Sequence, residues 1–344
     1  MSQPAPPSPW IRGPLYDGVL FVFAPLLALL AGGLVQLAGL PGLEVRLLGV
    51  RTRADQLLMG TFVAAHLVIV LCRSHLDRQV FARHPWRFVA VPLALLALFL
   101  ASRPAMVAGA VLSIWWDVYH SSLQTFGLGR IYDQRRGNDP QLGRSLDLAL
   151  NLLLYVGPLL AGAALLPHLQ ASASTAQVVT RAFDHVPAWA GARQGPLTWA
   201  LSGAGGLFLA AYLLAYRGLA RRGYRVSWQK VALLASTGLC SIFAWGWNAF
   251  GQAFFIMNFF HALQYFGIVW WAEGGNLTRL LRLERAPGGR LVALSTLLSL
   301  AGLYGLVTET LGETSRALGC LALVVALMHF WWDGFIWSVR KQMV

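Results

Sequence analysis

The sequence predicts an all-α fold: a polytopic bundle of about ten transmembrane helices with both termini cytoplasmic. Three observations predict it. Hydrophobic residues make up 57% of the 344 and charged residues only 12%, against roughly 25% charged in soluble domains. Apolar runs of about 20 residues, the length that crosses a hydrocarbon core, recur along the chain. Arginine clusters follow every second run, as the positive-inside rule requires of cytoplasmic loops.

In chain order, residues 1–16 form a short proline-rich lead, expected in the cytoplasm. The first run, near 18–40, is longer than a signal-peptide core and shows no small-residue cleavage site, so it reads as a retained span. The second, near 56–72, contains His66 and precedes Arg73, Arg78, Arg83 and Arg87. The third, near 88–102, is short. The fourth, near 104–129, carries Asp117, His120 and Gln124 and precedes Arg130, Arg135, Arg136 and Arg144. The fifth, near 146–166, leads into a polar stretch, 167–195, expected as an outer-side loop. The sixth, near 197–216, precedes Arg217, Arg221, Arg222, Arg225 and Lys230. The seventh, near 228–247, is almost fused to the eighth, near 249–272, which holds Asn258, His261, Gln264 and Tyr265 and precedes Arg279, Arg282, Arg285 and Arg290. A ninth run, near 291–311, and a tenth, near 317–338, complete the set; the tenth carries His329 and Asp333 and ends in Arg340 and Lys341. The expectation is one integral-membrane domain, 1–344, in a bacterial inner (plasma) membrane.

A net charge of +13 would suggest nucleic acid as the partner of a soluble protein. Here the basic residues fall between spans, where they set topology, so membrane lipids are the expected partners and nucleic acid is not. Cys72, Cys240 and Cys320 are isolated in or beside spans and read as buried thiols. No glycine-rich phosphate loop, nucleotide fingerprint or GxSxG elbow appears in the polar segments, so electrons, if the chemistry needs them, come from a separate donor.

Ionisable side chains inside a bilayer are costly and mark functional sites. His66, His120, His261 and His329 lie in four separate runs, each on the side that the arginines mark. His120 stands ten residues before Arg130, His329 eleven before Arg340, His66 seven before Arg73 and His261 twelve before Glu273. At 1.5 Å per residue these are depths of roughly 10–18 Å, so four imidazoles are expected in one band in the cytoplasmic half. Residues three and four apart share a helix face. That places Asp117 and Gln124 with His120, Gln264 and Tyr265 with His261, and Asp333 with His329. His75 joins the candidate ligands if its helix continues past the bilayer. Imidazole suits iron, copper and zinc, and carboxylates shift the preference toward oxygen-activating iron. The expected centre is therefore iron held by His66, His120, His261 and His329, with Asp117, Asp333 and His75 as further ligands and Gln124, Gln264 and Tyr265 taking part beside them.

This arrangement resembles the histidine-rich integral-membrane non-haem iron enzymes: lipid desaturases, hydroxylases and bacterial membrane carotene-cleaving oxygenases. The resemblance implies iron, dioxygen and a hydrophobic small-molecule or lipid substrate. The HxxxH, HxxHH and HxxxHH boxes of the desaturases and hydroxylases are absent, each helix here offering one histidine. Two other functions fit the same residues. One is a haem-b electron-transfer protein with paired axial histidines. The other is a proton-coupled transporter using the buried His and Asp residues. Copper is the remaining alternative metal.

Overall fold

The computed structural model describes residues 8–176, 185–312 and 314–337. It is mostly helical and is described as two compact units. The first comprises residues 8–30 and 118–261, the second residues 31–117 and 262–337. The boundaries fall inside continuous helices, so α2 (Ala24–Leu37), α7 (Arg103–Arg135) and α12 (Phe250–Leu280) each contribute to both units.

The first unit opens with the one-turn α1 (Pro14–Asp17), folded around a carboxylate. Asp17, fully buried, accepts the backbone N–H groups of Ile11, Arg12 and Gly13 at 2.6, 3.0 and 3.3 Å and the hydroxyl of Tyr132 at 3.1 Å. A π-helical turn, Gly18–Val22, then meets α2 at a 59° bend. The bend precedes Pro25, which has no N–H for the preceding turn and whose ring crowds the carbonyl four residues back. The C-terminal part of α7 is followed by α8 (Arg144–Ala161), α9 (Leu165–Ala176), α10 (His185–Arg221), α11 (Trp228–Trp247) and the start of α12. Leu150, Tyr212 and Leu234 join α8, α10 and α11 in one apolar cluster. Gly162 lets the chain turn back against α11, since a Cβ there would stand 2.6 Å from the Cα of Gly246.

The second unit contains one departure from the all-α expectation. β1 (Glu44–Leu47) and β2 (Val50–Arg53) pair antiparallel, Glu44 opposite Arg53. The two-residue turn, Leu48-Gly49, has φ of +50° and +85°, the type I′ geometry that matches strand twist. Val45 and Leu47 alternate with charge, but leucine is an unusual first residue for such a turn, which hid the hairpin in the sequence. Arg53 then pairs with Asp55 at 2.6 Å in the first turn of α3 (Ala54–Val68), where a carboxylate complements the helix dipole. A break at Ile69 separates α3 from α4 (Val70–Ser74). Asp77 caps α5 (Arg78–Arg83), accepting from the backbone of Gln79 and Val80 at 2.8 and 3.1 Å. Next come α6 (Pro85–Ala101), the start of α7, the rest of α12, α13 (Gly289–Leu311) and α14 (Arg316–Ile336).

Seven of the described helices are long and apolar enough to cross a bilayer, or eight if the bent pair at the N-terminus counts as one span. The ten apolar runs all become helices, but α6 has only 17 residues and α7 carries Arg103, Asp117, His120 and Arg130 along its length. The stretch expected as an outer loop, 167–195, is largely helical, with α9 and the first turns of α10 flanking residues 177–184, which lie outside the described set. The same holds for both ends of the chain, residues 1–7 and 338–344, on which the expected placement of the termini rests.

Helices α3 and α13 of the second unit pack tightly along their length. Gly305 makes this possible: a Cβ there would overlap the backbone carbonyl oxygen of Thr61. Small residues are the ordinary means of such approach in membrane bundles. Gly305→Ala is expected to lower stability by about 1–3 kcal/mol through overpacking. Gly302→Ala, where among the described residues a Cβ meets nothing within 4 Å, is expected to be near neutral. Thermal unfolding of the purified protein in detergent checks both.

Candidate metal centre

In the second unit, α3 carries His66, α14 carries His329 and Asp333, and α12 carries Tyr265. The rings of His66 and His329, both fully buried, lie edge to face with centroids 5.1 Å apart. Each presents a ring nitrogen within 4.8 Å of the other's. Nδ1 of His329 is 3.2 Å from the backbone carbonyl of Leu67. A carbonyl only accepts, so Nδ1 carries the proton and Nε2 keeps its lone pair, the usual way a metal-binding histidine is oriented. Nε2 lies 3.8 Å from Oδ2 of Asp333, one turn further along α14.

Asp333 is itself held in place. Its Oδ1 accepts the hydroxyl of Tyr265 at 2.9 Å and the indole N–H of Trp337 at 3.1 Å. The Tyr265 ring packs 4.5 Å from that of His329 and 6.3 Å from that of His66, centroid to centroid. Trp337 lies under the guanidinium of Arg73 at 4.8 Å, and Arg73 pairs with buried Glu273 at 2.6 Å. Arg73, which the sequence assigned to topology, and Trp337 thus stand directly behind the carboxylate. Nothing in their spacing signalled this, because α4, α12 and α14 meet only in the fold.

The first unit holds a second histidine pair. His120 on α7 and His261 on α12 are both buried, their rings 4.9 Å apart and nearly perpendicular. Gln124, one turn beyond His120, donates to the backbone carbonyl of His261 at 2.9 Å and so fixes α7 against α12 at this level. Asn258, in contrast, turns back on its own helix, donating to the carbonyl of Phe254 at 3.2 Å.

Of the other predicted site residues, Asp117 and Gln264 are buried, at 6% and 0% exposure, both within the second unit. His75 takes a different place. Half-buried just past α4, its ring sits among Phe81, Phe88 and Trp332 at 5.3–5.7 Å. Nδ1 faces the Ser74 hydroxyl at 2.8 Å and Nε2 the carbonyl of Phe88 at 3.3 Å. Burial lowers its pKa below the usual histidine value, as expected of a neutral ring in an aromatic box.

His66 and His329 bring ring nitrogens within 4.8 Å of each other, and Asp333 sets a carboxylate oxygen 3.8 Å from Nε2 of His329, donors of the kind that hold a divalent cation. Metal–nitrogen bonds of about 2.1 Å set two ligand atoms of one ion roughly 3–4 Å apart, so small ring rotations suffice. The donor set of imidazole plus carboxylate suits iron better than a purely thiolate-seeking metal.

The first unit also contains a charged cluster absent from the predicted site. Lys230 on α11 donates to Asp133 at 2.8 Å, Asp147 at 2.7 Å and the Tyr216 hydroxyl at 2.8 Å. Arg130 donates to the same two carboxylates at 2.8 and 2.5 Å. Tyr212 and Tyr216 donate to the second oxygen of Asp147, and Tyr224 to that of Asp133. All four carboxylate oxygens are therefore engaged, so the cluster closes on itself and offers no ligand position. Its trace in the sequence is limited to an arginine and a lysine in interfacial positions. No known protein family, curated protein or solved structure matches the chain.

Proposed function

We propose that this chain is a membrane-embedded, iron-dependent oxygenase, hydroxylase or desaturase acting on a lipid-like substrate. The observation that carries the reading is the pair of fully buried imidazoles, His66 and His329, from separate apolar helices. One of them has its tautomer fixed by a backbone carbonyl and a braced carboxylate one turn away. Buried polar groups of this kind are retained in an apolar bundle when they do chemistry. The His120–His261 pair supplies further imidazole donors in the first unit. Bound iron would supply dioxygen activation.

The protein's own residues do the positioning. Leu67 holds the proton of His329 away from the ligand nitrogen, and Tyr265 and Trp337 hold Asp333. The ring of Phe330, 6.2 Å from that of Trp116, contributes apolar surface immediately beside His329, as a hydrocarbon substrate needs.

Elemental analysis and an optical spectrum of the detergent-purified protein test this. Iron near one or two equivalents per chain without a Soret band is the expected result. A Soret band would select haem, and the absence of any transition metal would end the oxygenase reading and leave a transporter.

A further inference from the structure

We propose that the junction of α10 and α11 binds the phosphate headgroup of an anionic phospholipid. Two connecting segments of the first unit meet there, 136–143 and 222–227. They are clamped through backbone groups: Asn138 donates to the carbonyl of Arg225 and accepts its N–H, both at 2.8 Å. The Tyr224 hydroxyl reaches Asp133 at 2.6 Å, and Arg136 donates to the carbonyl of Val226 at 3.4 Å. Arg130 ties down the first segment through the carbonyls of Asp139, Pro140 and Leu142 at 2.9–3.3 Å.

The clamp sorts charge. Asp133 and Asp147 are drawn inward and neutralised by Arg130 and Lys230. Asp139 is then the one exposed carboxylate in 130–147 and 217–230, against four exposed arginines, Arg217, Arg221, Arg222 and Arg225. Arginines that merely set topology need no fixed loop; Arg222 and Arg225 stand on a braced one, and Arg217 and Arg221 on the end of α10 that leads into it. The surface around them is amphiphilic. Trp228 and Val226 are 68% and 38% exposed beside the arginines, and Leu213 and Leu214, a turn before Arg217 on α10, are 59% and 68% exposed. Exposed arginines at the end of a helix with exposed leucines one turn back, and an exposed indole in the adjoining segment, fit a phospholipid better than an acidic protein, which would leave the leucines uncovered. Each arginine near an anionic headgroup contributes about five-fold in affinity.

The test is thermal unfolding of the full-length protein in neutral detergent, titrated with phosphatidylglycerol, phosphatidylcholine or inorganic phosphate. Phosphatidylglycerol alone is expected to stabilise. The R221Q/R225Q variant keeps the backbone clamp, because Asn138 binds Arg225 through its main chain, and is expected to need roughly twenty-fold more lipid. Asn138→Ala, with every arginine retained, is expected to weaken the response as well, whereas R279Q/R285Q, which alters a different arginine cluster, keeps it. Equal stabilisation by phosphatidylcholine, an unchanged response in R221Q/R225Q or in Asn138→Ala, or an equal loss in R279Q/R285Q would overturn the proposal. Reproduction of the effect by inorganic phosphate would overturn it too, leaving a small-anion site.

Discussion

His329→Ala is expected to strip the purified protein of its iron, with a loss of affinity of at least about 100-fold. The side chain supplies a nitrogen whose lone pair is set by the Leu67 carbonyl, in a site where water cannot replace it easily because both His329 and His66 are fully buried. Groups that orient ligands typically contribute 10–100-fold to metal affinity. Tyr265→Phe is therefore expected to fall in that smaller range, since it removes one donor from Oδ1 of Asp333 while Trp337 retains the other, whereas Asp333→Asn, which alters a candidate ligand itself, is expected to approach the loss of His329→Ala. His75→Ala is expected to keep full iron content, since its ring nitrogens face Ser74 and Phe88. Iron per chain, measured by elemental mass spectrometry on protein whose thermal unfolding remains cooperative, separates these outcomes. Wild-type iron in His329→Ala would remove this residue, and with it the centre in the second unit.

Lys230→Ala is expected to destabilise the protein by about 3–5 kcal/mol, the usual consequence of removing one partner from a buried ionic network. Lys230 is 3% exposed and is shared by Asp133 and Asp147, which are equally enclosed. Without it, two carboxylates face the single charge of Arg130 in an apolar surrounding, where an uncompensated charge is costly. Asp133→Asn in the Lys230→Ala background removes the surplus negative charge, so the double variant should lose less than the sum of the single losses, as coupled neighbours do. Denaturant or thermal unfolding in detergent provides the values. A loss below about 1 kcal/mol would mean that water reaches the cluster and screens it.

How much of this was legible in the sequence differs from residue to residue. The ten apolar runs all appear as helices, because in a bilayer-length apolar segment the backbone must satisfy its own hydrogen bonds. His66, His120, His261 and His329, which the sequence singles out as ionisable groups inside apolar runs, are all buried. The hairpin at 44–53 was not foreseen: eight paired residues between two long helices are too short to establish a period against the apolar signal around them. The charged cluster was missed for a different reason. Lys230 and Arg130 have the spacing of interfacial topology residues, and their carboxylate partners lie up to 97 residues away in sequence. His75 shows the reverse case, in which a spacing compatible with the site was answered by an aromatic box closer at hand.

The sequence by itself determined that the chain is helical, apolar over bilayer lengths and punctuated by arginines, because hydropathy and charge are properties of residues taken one at a time or one helix at a time. Only the tertiary structure decided which imidazoles face one another, that a carbonyl at the end of α3 selects the free nitrogen of His329, and that Asp133 and Asp147 spend their charge inside the protein rather than on its surface. These depend on helix rotation and on contacts between distant segments, and a helical period gives the face that a residue shares with its neighbours but not which other helix that face meets.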